Sequence, residues 1–251
     1  MLSNTNVKAY RSHLFTRMMA IALSAGTLCA FTSTSALAQY KPPENLGLPR
    51  RREPAGTRGS CSGATAAAHA ASVAQSTLTS LMPQDSHFGQ TLSPYPTFYW
   101  YVPPIEAQAA EFVLLDEDDE VYTVKFYLEP IQEGGLIRLS LPENAGLSPL
   151  EVDKDYHWYF SLICNEFDRG ADIFTEGWVR YVNSDALSDL EDLPDFPQPA
   201  HANEYAQAGI WFDALEIVAE ARRQNALDSS EWQLLLDSVG LSDFTDAPFL
   251  Q

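Results

Sequence analysis

The chain has 251 residues, 45% of them hydrophobic, with 34 acidic against 15 basic side chains and a formal net charge of −19. That apolar content excludes a disordered polyelectrolyte and suffices for one sizeable domain or two small ones. The negative excess argues against nucleic acid and anionic membrane surfaces as partners, because both would repel it.

Residues 1–38 read as a secretory signal peptide. Lys8, Arg11 and Arg17 supply a positive start with no acid, Met18 to Phe31 is uncharged and apolar, and Ala36-Leu37-Ala38 gives the small-x-small pattern of a cleavage site before Gln39. The apolar run is short for a bilayer span, which needs roughly 20 residues, so no stable membrane insertion is expected once the signal is removed. Cys29 follows Leu28, a residue too large for a lipoprotein cleavage site. The expected location is the periplasm or the exterior. Cleavage takes three of the basic residues and no acid, leaving a net charge of −22. It also removes Cys29 and leaves Cys61 and Cys164 as an even pair in an oxidising compartment, where a disulfide is the natural reading. Closing a loop of about 100 residues is worth roughly 4–5 kcal/mol on the chain-entropy model.

Residues 39–95 are rich in Pro, Gly, Ser, Thr and Ala and read as a loop-rich arm. It carries Arg50, Arg51, Arg52 and Arg58, an unusual cluster in a chain whose residues 59–251 hold seven basic and 32 acidic side chains. The cluster is read as pairing with the protein's own carboxylates beside the disulfide, which suits the bidentate geometry of arginine, with an anion- or partner-binding element as the alternative. Residues 96–184 change to short aromatic and β-branched runs between turn residues, the pattern of an antiparallel β-sandwich. Strands are expected at 97–102, 111–116, 121–128, 135–141, 156–164 and 177–182, with the acidic run Glu117 to Glu120 at a hairpin tip. In the fifth of these, Tyr156, Trp158, Phe160, Leu162 and Cys164 share the inward face, and His157, Tyr159, Ser161 and Ile163 the other.

An acidic, proline-containing linker at 185–199 precedes a helical hairpin and tail at 200–251. The period becomes helical through Tyr205, Ala208, Trp211 and Leu215, predicting one helix over Glu204 to Gln224. A second is expected from Asp228, with Glu231 as its capping-box partner, through Trp232, Leu235, Leu236 and Val239 to Gly240. The hairpin is read as packing on the sheet domain, with a docking surface that includes the aromatic residues Trp211 and Trp232 as the alternative.

Several ordered stretches carry a family likeness. Gly47-Leu48-Pro49-Arg50-Arg51-Arg52, Pro96 to Pro103, Ala110 to Asp116, Tyr156-His157-Trp158-Tyr159-Phe160, Glu176-Gly177-Trp178-Val179 and Gly209 to Leu215 resemble the bacterial family catalogued as domain of unknown function 928. The resemblance implies an exported protein, of a kind found mainly in cyanobacteria, and it brings no catalytic residues. The hairpin is also similar to half of a tetratricopeptide-type repeat, through Gly209, Ala214, Leu215 and Asn225 to Asp228; about three repeats would be needed for a solenoid.

No nucleophile elbow, zinc-protease helix, Cys-x-x-Cys pair, phosphate-binding loop or dinucleotide fingerprint occurs in the sequence. The acidic run Asp116 to Glu120 lacks the spacing of a calcium loop. No catalytic, cofactor or metal residue is therefore assigned, and His157 and Glu176 are read as structural. The expectation is a non-enzymatic protein that binds another periplasmic or extracellular protein. The alternatives are a glycan or small-ligand module using Trp and Tyr as stacking platforms, and an uncatalogued hydrolase.

Overall fold

Period-2 alternation of large side chains builds the β part of the computed structural model, which describes residues 39–43, 61, 77–183, 201–224 and 230–250. Strands Thr79–Ser80 (β1), Thr97–Val102 (β3) and Gly135–Ser140 (β6) form a small antiparallel sheet in the order β1-β3-β6. The larger sheet contains Phe88–Thr91 (β2), Ala109–Asp116 (β4), Asp119–Tyr127 (β5), Asp155–Ile163 (β7) and Ile173–Tyr181 (β8). Its order is β2-β8-β7-β4-β5, and β2 runs parallel to β8. The expected mainly β, sandwich-like arrangement of two sheets followed by helices is present, and among the named strands only the β2–β8 pair departs from antiparallel pairing. β1 and β2 lie within the stretch read as a loop-rich arm: Phe88-Gly89-Gln90-Thr91 has little strand signal of its own and takes its conformation from the edge of β8.

The two sheets face each other through aromatic rings. Trp100 of β3 stacks on Phe160 of β7 with centroids 4.2 Å apart, and Phe98 lies 5.0 Å from Phe112 of β4. Such pairs contribute beyond the apolar area they bury. Every residue of β3 is buried, because its other face is also covered: Tyr101 packs on Phe244 at 4.9 Å and Tyr99 on Phe249 at 6.5 Å. β3 reads as a continuous aromatic run for that reason.

The expected 21-residue helix is two helices, Ala202–Gln207 (α1) and Trp211–Arg223 (α2). Gly209 breaks it with φ +81, and a Cβ there would lie 2.5 Å from Pro43 Cγ. The periodicity runs through the break because both helices turn the same apolar residues to one core. A third helix, Ser230–Asp237 (α3), precedes Gly240, also at positive φ; the proposed cap Asp228 lies outside the described residues. The hairpin shares the hydrophobic core with the strands. Gly89 allows α2 to approach β2, since a Cβ on it would meet Phe212 at 2.8 Å, and Phe212 packs on Phe98 at 5.1 Å. The C-terminal tail then returns to β6, where Leu136 donates its N–H to Pro248 O and Leu250 to Leu136 O. Arg222 holds this tail, donating to Ala247 O at 2.8 Å with its guanidinium over the Trp232 and Phe249 rings. Among the described residues no helix is long and apolar enough to cross a membrane.

Candidate interaction surface

Cys61 and Cys164 form a disulfide with Cα atoms 5.1 Å apart, 103 residues apart in sequence. Cys61 is buried, and Cys164 follows the last residue of β7, so the bridge anchors the arm at one end of the larger sheet. Arg50, Arg51, Arg52 and Arg58 lie outside the described residues, as does the signal segment. Trp211 and Trp232 are not surface residues. Their side chains are fully buried, with the Trp211 indole donating to Leu81 O and the Trp232 indole to Thr245 O, each at 2.9 Å. The helical spacing that singled them out records the core-facing stripe, which leaves the hairpin without those aromatic platforms.

Two carboxylates on α2 have raised affinity for a proton. Burial pushes Asp213 up from 3.8 to about 6, against the hydrogen bonds it receives from the Thr91 side chain and the Leu92 N–H. Burial also raises Glu216, opposed by Thr97. Thr97 Oγ1 donates to Glu216 Oε1 at 3.0 Å and so accepts from Ser140 Oγ at 2.8 Å. These groups fasten the helix to the start of β3 and the end of β2. Among the described residues no group of three His, Cys, Asp or Glu side chains could hold a metal ion.

On the face of the larger sheet turned away from β3, His157 and Trp178 are register partners whose rings stack at 4.2 Å with planes 1° apart. Neighbouring strands lie about 4.8 Å apart, so these rings stand upright, covering each other's faces. His157 Nε2 is 3.0 Å from Glu176 Oε2, at an angle outside hydrogen-bond geometry. The cluster is an internal pairing that turns ring edges outward.

The exposed apolar groups lie at another place. Four large apolar side chains are exposed among the described residues, and three of them, Val121 (37%), Tyr127 (79%) and Phe167 (98%), belong to β5 or to the loop that lies against it. Among the described residues β5 is the last strand of its sheet. Along it exposed residues alternate with half-buried ones, so Thr123, Lys125 and Tyr127 face out while Tyr122, Val124 and Phe126 turn toward the core. The loop after β7 is tied down beside this strand. Lys125 Nζ lies 2.5 Å from Glu166 Oε1 and 5.8 Å from the Tyr127 ring. Arg169 binds Glu111 at 2.7 Å and also pairs with Asp172. Phe167 is therefore held out from an anchored loop, next to the disulfide.

The sequence contained one signal of this surface, a large aromatic inside the polar run Asn165 to Gly170. That β5 ends the sheet is a matter of strand order, which alternation does not encode. No curated protein and no solved structure matches the chain. The family model described as Domain of Unknown Function (DUF928) matches residues 53–249, covering the arm from Glu53, both sheets, the helices and nearly all of the returning tail, and the chain belongs to that family.

Proposed function

We propose that this is an exported, non-enzymatic protein that binds another protein of the cell envelope or exterior, and that it does so through the β5 edge rather than the helical hairpin. The observation that carries the reading is that Val121 and Tyr127 of β5, the last strand of its sheet among the described residues, and Phe167 of the loop tied to it are three of the four exposed large apolar side chains among those residues. An edge strand offers main-chain donors and acceptors to an added strand, and exposed apolar side chains spaced along it add surface for a partner to bury. Export is supported by the signal pattern of residues 1–38 and by the Cys61–Cys164 bridge, since such bridges persist in oxidising compartments. The non-enzymatic reading is supported by Asp213 and Glu216, whose oxygens are taken up by Leu92, Thr91 and Thr97 within the fold. A sugar platform is disfavoured at Trp178, because His157 covers a face of its ring.

A photo-crosslinking side chain placed at Tyr127 in the native cell tests this reading. It is expected to yield defined protein adducts, with far fewer from the same group at Val152, which is 47% exposed away from the edge. Equal capture at the two positions would sink the reading.

A further inference from the structure

We propose that Gln39 is a modification site: the exported chain begins there, and its amino terminus closes on the Gln39 side chain to form a pyroglutamate. The proposal rests on the export part of the reading above, which places signal cleavage between Ala38 and Gln39. The neutral α-amine nitrogen attacks the side-chain amide carbon Cδ, and the new C–N bond completes a five-membered lactam. The bond from Cδ to Nε2 breaks, and that nitrogen leaves as ammonia, carrying the proton that the amine gives up. No oxidant, reductant or co-reactant is consumed. Of residues 36–41 only Gln39 carries a side-chain amide, so cleavage one residue to either side yields no ring.

The surroundings of residue 39 suit that closure. Gln39 is exposed, and no described residue hydrogen-bonds it, so its amide is free to fold back on the amine. The residue after it is fixed. Tyr40 is buried, its ring meets Trp211 edge-on at 5.1 Å, and its N–H donates to Ser238 Oγ at 3.1 Å. Lys41 donates its N–H to Ala206 O at 3.0 Å, and Pro43 fills the place that a side chain on Gly209 would take. The segment that follows the cleavage site therefore lies as a strap over α1, the start of α2 and the residue just past α3.

That strap gives the lactam a use. Removal of Gln39 would move the terminal ammonium onto the Tyr40 nitrogen, and a charge taken partly out of water there is costly. Removal of Tyr40 as well would open a cavity against Trp211, which is destabilising. A lactam at position 39 is uncharged, leaves the Tyr40 N–H as a donor to Ser238, and presents no α-amine to an aminopeptidase outside the cell.

Mass spectrometry of the chain purified from its native host tests the proposal, with the sample kept cold and acidic so that the amine is protonated and cannot close during handling. The expected amino-terminal peptide starts at residue 39, is lighter than the simply cleaved peptide by one ammonia, and resists amine labelling. Gln39→Ser removes the amide at an exposed position. That variant should label fully and be shortened by an added aminopeptidase that leaves the parent intact; a variant that is still blocked overturns the proposal. A parent that starts at Gln39 with a free, labelled amine, or at another residue past the signal, overturns it while leaving export standing. A chain that retains residues 1–38 overturns both.

Discussion

Asp213 is a fully buried carboxylate on α2, and its proton affinity links folding to pH. The folded group titrates near 6 and the unfolded one near 3.8, so the folded state binds the proton more tightly. Its contribution to stability is largest below the unfolded value, falls as pH rises between the two, and is lost above about pH 6. Asp213→Asn keeps an acceptor for the Leu92 N–H and removes the ionisation. The variant should gain on the parent by up to roughly 3 kcal/mol between pH 4 and pH 7, read from urea midpoints at the two values; an unchanged gap would mean the carboxylate is not desolvated as described. Residue type and spacing alone indicated that α2 has a buried face, yet they left open whether Trp211 and Trp232 pack on the sheet domain or serve a partner. An amphipathic stripe is the same pattern whether it faces a core or a partner, and only the packed strands beneath it decide which.

At the scale of elements, the break between α1 and α2 depends on Gly209. Gly209 and Gly146 share nearly the same positive φ, but a Cβ at Gly146 would meet nothing within 4 Å while one at Gly209 would press on Pro43. Gly146→Ala should therefore cost only the left-handed backbone term, about 1 kcal/mol. Gly209→Ala should cost clearly more, because the segment Tyr40–Pro43, held by the bond from Lys41 N–H to Ala206 O, must also move. Equal losses in chemical denaturation would show that this segment adds nothing to stability. The six longer strands were legible because each is a run of aromatic, β-branched or aliphatic residues bounded by turn residues. β2 was not, since four residues including a glycine gain strand conformation only by lying beside β8.

For the molecule as a whole, the Cys61–Cys164 bridge closes a 103-residue separation and fixes the arm to the larger sheet. Replacing both cysteines by serine should lower stability by up to about 4–5 kcal/mol, measured as a shift in denaturation midpoint, and a shift within error would assign the bridge a purely local role. Most described cations are engaged in ion pairs: Lys125, Arg138, Lys154, Arg169, Arg180 and Arg223 each have an acidic partner. Arg222 clamps the tail. The acids far outnumber these cations, so the folded surface stays anionic, and screening is expected to govern any association. The amino-acid sequence by itself determined the class of fold, the strands with strong alternation, the helical C-terminal part and the cysteine pair, because each is set by local periodicity or by a count. Only the tertiary structure decided that β2 lies parallel to β8, that Trp211 and Trp232 are core, and that β5, carrying Tyr127, is the last strand of its sheet among the described residues. Strand order and burial arise from contacts between residues far apart in the chain, and no local pattern carries that information.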